Sequence, residues 1–326
     1  MHIQWFPGHM HKARLQIKEA MPRVDLFIEM LDARIPYSSE NPMLAELRGH
    51  KPVLKLLAKS DLADPGRTRQ WLTYLNQQDG SQAISITTKD PGRIRNLSQV
   101  CREMLAPQHA QLPSLTTMIV GIPNVGKSTL INILAGRPVV KTGNEPAITK
   151  GQQKINIGDG ITLMDTPGVL WPNVENPKSG LRLATIGSIK DTAMDYEDVA
   201  WFAAKYMLAN YPDGLCKRYD LESLPNDAIE FLEIVGRKRG CLGRSSVVDF
   251  DRVSRIFLNE LRAGMLGQIT LETPAAMEQE KAELVLILAE KEAGKKEKKA
   301  KRKAAFKNRS GSTSGKRKHR KGKDPK

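Results

Sequence analysis

The stretch TMIVGIPNVGKSTLINIL, residues 117–134, decides how this chain is read. Its first residues are β-branched and apolar, its last six alternate at helical spacing, and between them lies Gly121-Ile-Pro-Asn-Val-Gly126-Lys127-Ser128. That segment matches G-x-x-x-x-G-K-[ST] in the required context, after a strand and opening a helix. The glycines let backbone N–H groups of Asn124, Val125, Gly126 and Thr129 close on a polyphosphate, and the helix N-terminus favours negative charge. Lys127 is placed to reach the β- and γ-phosphates and Ser128 to ligate Mg²⁺. The bland alternative, an ordinary Gly-rich turn between strand and helix, accounts for neither the spacing nor the Lys-Ser pair.

Working outward toward the C-terminus, Asp165-Thr-Pro-Gly168 ends the apolar run 161–164, thirty-eight positions after Lys127. A carboxylate at a strand end suits the Mg²⁺ shell, and a glycine N–H there can meet a γ-phosphate. Between the two motifs stands Glu145-Pro-Ala-Ile-Thr149, whose hydroxyl can join Mg²⁺ only when a γ-phosphate is present. A lone Thr in a polar loop is weak evidence; the flanking motifs give it meaning. The metal set read from sequence is therefore Ser128, Thr149 and Asp165.

Working the other way, Ala58-Lys59-Ser60-Asp61 follows the apolar run 53–57, and Thr87-Thr88-Lys89 follows the next one. An Asp in [NT]-K-x-D accepts from the N1 and N2 hydrogens of guanine, and the second segment supports the base. Lys59, Asp61, Thr87, Thr88 and Lys89 thus complete a guanine-nucleotide site with the phosphate loop and Gly168. Both base segments precede the phosphate loop, whereas an ordinary GTPase carries them after it. Such a rotation keeps neighbours in space, because the ends of a compact domain can be joined and reopened elsewhere.

The wider pattern fits. Strands are predicted at 24–31, 53–57, 83–87, 117–122, 154–157 and 161–164, with helices at 42–48, 64–77, 92–105 and 127–134. This alternation predicts an α/β fold, a mainly parallel sheet covered on both faces. The Gly158-Asp159-Gly160 turn predicts a hairpin and one antiparallel edge. From about residue 181 only helical periodicity remains (181–189, 196–208, 228–237, 249–262), with Asp195 and Asp249 at N-cap positions. The expected division is a GTP-binding domain at 1–178 with circularly permuted motif order, and a small all-α domain at 179–274. A helix and a disordered Lys/Arg-rich tail follow at 275–326.

This motif order, with Gln4-Trp-Phe-Pro-Gly-His-Met10, Asp32-Ala-Arg-Ile-Pro36 and Ser39-Glu-Asn-Pro42, resembles the circularly permuted ribosome-assembly GTPases of the YlqF type, within the TRAFAC class of P-loop GTPases. Gly236-Arg-Lys-Arg-Gly240 and Gly267-Gln-Ile-Thr-Leu271 extend the resemblance to roughly residues 1–272. It implies binding of GTP and GDP with Mg²⁺ and slow, ribosome-stimulated hydrolysis to GDP and phosphate. It also implies a role in assembly of the large ribosomal subunit through rRNA. By the same resemblance His9 is a catalytic candidate beside Lys127 and Thr149, against a plain packing role near Trp5 and Phe6. Asn124 resembles the Asn of potassium-activated GTPases, which adds K⁺ as a candidate cofactor. Four positions depart from the usual pattern or lack a usual group. Ala58 replaces Asn or Thr, Thr88 replaces Ala, Ala147 replaces Gly, and Val169 stands where many small GTPases carry a water-orienting Gln.

Charge separates body from tail. Residues 295–326 hold sixteen Lys or Arg against Glu297 and Asp324, which accounts for +14 of the net +15. Such a segment attracts polyphosphate in a salt-dependent way. Lys217-Arg218, Arg237-Lys238-Arg239 and Arg262 in the helical region are candidates for RNA contact or simply a solvated face, and Arg34 is a further candidate for phosphate or RNA. No run reaches the roughly 18 apolar residues of a membrane span, the first residues do not read as a secretory signal, and three scattered cysteines show no metal spacing. The expectation is a cytoplasmic protein, monomeric off the ribosome. Two other readings stay open: a nucleotide-gated RNA-binding module with negligible hydrolysis, and a P-loop ATPase or kinase with a basic tail.

Overall fold

Strands β1 (Leu26–Asp32) and β2 (Val53–Ala58) are buried at every position, as near-continuous apolar runs are when helices cover both faces of a parallel sheet. They sit inside a six-stranded sheet with β3 (Ser81–Ser85), β4 (Leu115–Gly121), β5 (Gln153–Asn156) and β6 (Ile161–Asp165). The order is β3-β2-β1-β4-β6-β5. All pairs are parallel except β5 with β6. The computed structural model describes residues 8–109, 114–141, 153–168, 170, 174 and 176–313. Its antiparallel edge is the expected hairpin, turned by Gly158, Asp159 and Gly160, all at positive φ.

Register positions the site. Asp32 pairs with Ala58, Met30 with Gly121 and Ile119 with Asp165. The C-terminal ends of four parallel strands therefore deliver Asp32, the Ala58–Asp61 loop, the phosphate loop and Asp165 to one edge. Ligands of open α/β sheets bind at that edge.

The helices are α1 (Gly8–Ala20), α2 (Pro36–Ser39), α3 (Pro42–Arg48), α4 (Pro65–Asn76), α5 (Pro91–Arg95), α6 (Leu97–His109), α7 (Lys127–Leu134), α8 (Pro177–Thr185), α9 (Tyr196–Asn210), α10 (Pro212–Tyr219), α11 (Ala228–Lys238), α12 (Phe250–Arg262) and α13 (Pro274–Thr313). Their starts follow side-chain chemistry. Asn41, Asp64, Asp90, Asn176, Asp195, Asp227 and Asp249 each accept from amides of the first turn, a cap contributing about 1 kcal/mol. Pro at the start of α3, α4, α5 and α8 leaves no amide to satisfy there.

Several expectations shift. The helix predicted at 92–105 is two helices, because Asp90 and Pro91 start α5 early and Asn96 closes it. Helix α1 lies outside the predicted elements, although Met10, Ala13, Ile17 and Ala20 recur at helical spacing and are all buried. Helix α10 was likewise unread; Pro212 opens it, and Asp220 ends it in the left-handed region.

Two compact units divide the chain, Met1–Met277 and Glu278–Lys326. The first holds the sheet and α1 to α12. Its main core runs from Met10 to Leu271, and a smaller cluster gathers Leu31, Leu57, Trp71 and Leu75. In the second, α13 continues as helix to Thr313, where the sequence reading ends a helix near residue 293 and leaves the isolated tail disordered. Ala, Lys and Glu dominate that run and all favour helix locally. Among the described residues no helix is long and apolar enough to cross a membrane.

Candidate nucleotide site

The phosphate loop is closed by backbone conformation. Gly126 takes φ +105° and Asn124 φ +60°, which turns the chain from β4 into α7 with Gly126 at the N-cap. Ser128 and Thr129 lie half-buried in the first turn, and Val125 is buried. A side chain at Gly121 would collide with the Met30 carbonyl at 2.9 Å. One at Gly168 would press on Pro123 Cα at 3.1 Å, so the Asp165-Thr-Pro-Gly168 segment meets the phosphate loop backbone to backbone. Thr166 secures that approach by donating its hydroxyl to Ile119 O at 2.7 Å.

Lys127 is the buried cation of this half, 7% exposed. Burial pushes its ammonium below the usual lysine range, and the nearby Asp165 carboxylate partly offsets that. An arriving polyphosphate would add to that counter-charge. Asp165 is 1% exposed at the end of β6. With the Ser128 hydroxyl it offers hard oxygen donors, the set that suits Mg²⁺ rather than a softer metal. Among the described residues no three His, Cys, Asp or Glu converge as a metal group of their own.

The segments expected to meet guanine come from distant pieces of chain. Lys59 stands at φ +57°. Its Nζ donates to Asn124 O at 2.7 Å and lies 3.1 Å from Asp32 Oδ2, tying the base loop to the phosphate loop. Asp32, fully buried, also takes Arg34 Nε at 2.9 Å and Nη2 at 2.8 Å. Burial alone would raise the Asp32 carboxyl, but Arg34 and Lys59 outweigh it and hold it well below the carboxylate range. Asp61 accepts from Thr87 Oγ1 at 2.9 Å and pairs with Lys89 Nζ at 2.9 Å. Partial burial raises its carboxyl, and Lys89 and Thr87 bring it below its ordinary value. Thr88 is exposed. Ala58 is buried, and its carbonyl accepts from Ala33 N at 2.9 Å.

Several sequence candidates find other work. Arg34 is 2% exposed and spends its guanidinium on Asp32 and on Arg262 O, so it does not face phosphate or RNA. Arg262 donates to the carbonyls of Ala184 and Thr185 at the end of α8; it fastens two helices rather than meeting RNA. Asn124 turns its amide nitrogen to Gly187 O at 2.8 Å, and Ser188 Oγ donates to Pro123 O at 2.9 Å. The phosphate loop is thereby pinned to the turn after α8, a contact that no motif or spacing announces. The His9 backbone lies in α1, but its side chain falls outside the described residues, as do Thr149, Ala147 and Val169 entirely.

Comparison with known proteins finds relatives along most of the chain. A family model described as 50S ribosome-binding GTPase matches residues 116–204. Ribosome biogenesis GTPase A of Bacillus cereus is 44% identical over 281 residues, which is 84% of this chain and 95% of that protein. Mitochondrial ribosome-associated GTPase 1 of Mus musculus is 33% identical, over 82% of this chain and 90% of its own. The solved GNP-bound YlqF from T. maritima is similar with a TM-score of 0.57 and 28% identity, covering 81% of this chain and 98% of that one. The chain therefore belongs to the ribosome biogenesis GTPase A (YlqF) family, GTP-hydrolysing enzymes here built on an α/β fold with circularly permuted nucleotide segments.

Proposed function

We propose that this GTPase acts in assembly of the large ribosomal subunit, contacting rRNA through its helical region, residues 179–274, and its basic tail. The observation that carries the nucleotide part is the Lys59 bond to Asn124 O at 2.7 Å. It joins a guanine loop and a phosphate loop 65 positions apart into one site. The ATPase or kinase reading has no use for Asp61 held by Thr87 and Lys89. The ribosomal part draws on relatives whose names place them in ribosome biogenesis or with mitochondrial ribosomes.

In this reading Asp61 takes the guanine N1 and N2 hydrogens, with Thr87, Thr88 and Lys89 bracing it. Amides of Asn124, Val125, Gly126 and Thr129 hold the phosphates, and Lys127 stabilises charge on the β- and γ-oxygens. A Mg²⁺ held by Ser128, Asp165 and Thr149 would neutralise further charge when bound. Water attacks the γ-phosphorus, the bond to the β–γ bridging oxygen breaks, and GDP and phosphate leave; Gly168 N–H meets the departing group. His9 orients the water. K⁺ would be met by Asn124 Oδ1, the amide atom opposite the nitrogen given to Gly187.

Lys217, Arg244 and Arg252 are exposed on the helical region, and Arg237 and Arg255 are exposed but share charge with Glu233 and Asp251. The test is phosphate release from GTP and ATP, with and without large and small ribosomal subunits. Release from GTP alone, stimulated by the large subunit, is expected. Equal turnover of ATP would refute the guanine reading, and a rate indifferent to the large subunit would refute the ribosomal one.

A further inference from the structure

The loop that carries Asp61 is held from behind by a segment more than 200 residues later in the chain. Gln268 Nε2 donates to Asp61 O at 3.1 Å, and Ile269 N donates to Leu62 O at 3.0 Å. Asp64 N donates to Thr270 Oγ1 at 3.2 Å, while that hydroxyl donates to Ala33 O at 3.3 Å. Positions 61, 62 and 64 are thus bonded in step with 268, 269 and 270. Contact is close at the exit of α12 too: a Cβ at Gly264, which has φ +76°, would stand 2.8 Å from Leu62 Cδ2. Tyr211 clamps the pairing, its hydroxyl donating to Asp64 Oδ2 at 3.1 Å and accepting from Thr270 N at 3.0 Å. Thr270 is fully buried in this seam, whereas Gln268 is exposed at its edge beside the base loop.

Two sets of bonds therefore fix Asp61. Thr87 and Lys89 hold its carboxylate; Gln268 holds its carbonyl, and with it the backbone from which the carboxylate projects. A carboxylate that takes two parallel N–H bonds from a base must be placed within a few tenths of an ångström. We propose that Gln268 is a positioning residue for guanine discrimination, fixing the Asp61 backbone so that its carboxylate meets both the N1 and the N2 hydrogens. This rests on the reading of Asp61 as the guanine acceptor.

Inosine nucleotides separate positioning from general stability, because they keep the N1 hydrogen and lack the 2-amino group. A loosened Asp61 forfeits the paired bond to guanine but loses less toward inosine. The experiment measures GDP, IDP and XDP affinities of the full chain by competition against a fluorescent GDP. In a first arm Asp61→Asn, which puts a donor opposite C2, should move preference from GDP to XDP; no such move would refute the underlying reading and this proposal with it. With that move seen, Gln268→Ala should weaken GDP roughly threefold to tenfold and lower the GDP-over-IDP ratio by at least about twofold. Gln268→Glu, nearly equal in shape but without a donor, should do the same. Equal losses for GDP and IDP, unchanged binding, or a wild-type ratio in Gln268→Glu would each overturn the role assigned to Gln268.

Discussion

The two halves of the candidate nucleotide site differ in how much of their shape comes from their own residues. The phosphate half takes its turn from local geometry, positive φ at Asn124 and Gly126, and is then fastened from outside by Gly187 and Ser188. The guanine half has little local reinforcement. Its Lys59 is held by Asp32 and Asn124, its Asp61 by Thr87, Lys89 and Gln268, and its Asp64 by Thr270 and Tyr211. A motif that folds from its own residues tolerates a rotated chain. One that borrows partners needs the whole of the first unit in place, and both loops draw partners from the helical region, Gly187 and Ser188 for one and Gln268, Thr270 and Tyr211 for the other.

The sharpest way to break this contrast is at Asp32. Asp32→Asn leaves Arg34 buried without its counter-charge, and breaking such a pair costs about 3–5 kcal/mol. Urea unfolding should show that loss, and one under about 1 kcal/mol would mean the pair braces nothing. Lys127→Met should do the reverse: single-turnover GTP hydrolysis falls at least about 10²-fold, while unfolding stability holds or rises because a buried ammonium is gone. A parallel loss of stability would show that the phosphate half, too, depends on its lysine to fold.

A smaller effect concerns Glu29 on β1, under the base half. Burial first, then repulsion from Glu40, raises its carboxyl to about 7, against the pull of Lys55 and Arg48. A raised folded value means its contribution is full below the unfolded value of 4.5 and is lost as pH rises through about 7. Stability should therefore fall on the order of 1–3 kcal/mol between about pH 5 and pH 8 on this group's account. Glu29→Gln should flatten that slope in urea unfolding; an unchanged slope would assign it to another group.

The same contrast explains what was legible in the sequence. The sheet, its antiparallel edge and the phosphate loop are readable because alternation, Gly-rich turns and G-x-x-x-x-G-K-[ST] act over a few residues. Asp61 and Thr87 are readable as types, and the structure brings them to 2.9 Å. Arg34 misled because a cation after a strand looks available until Asp32, two residues before it, is seen to turn back onto it. The partners of Arg262, Gly187, Tyr211 and Gln268 are not readable, since they lie 59 to 228 positions away or across a turn that only packing defines. Helix α1 carries helical spacing in Met10, Ala13, Ile17 and Ala20, but only packing shows that this face is buried.

The most direct test of the joined site is Lys59→Met, because the Lys59 ammonium bridges the two halves through Asn124 O. It removes a charged hydrogen bond while leaving Asp32 paired with Arg34. GDP affinity should fall at least about tenfold, with the urea midpoint close to that of the wild type. GDP affinity within about twofold of wild type, in a protein that still unfolds normally, would contradict the claim that Lys59 joins the halves.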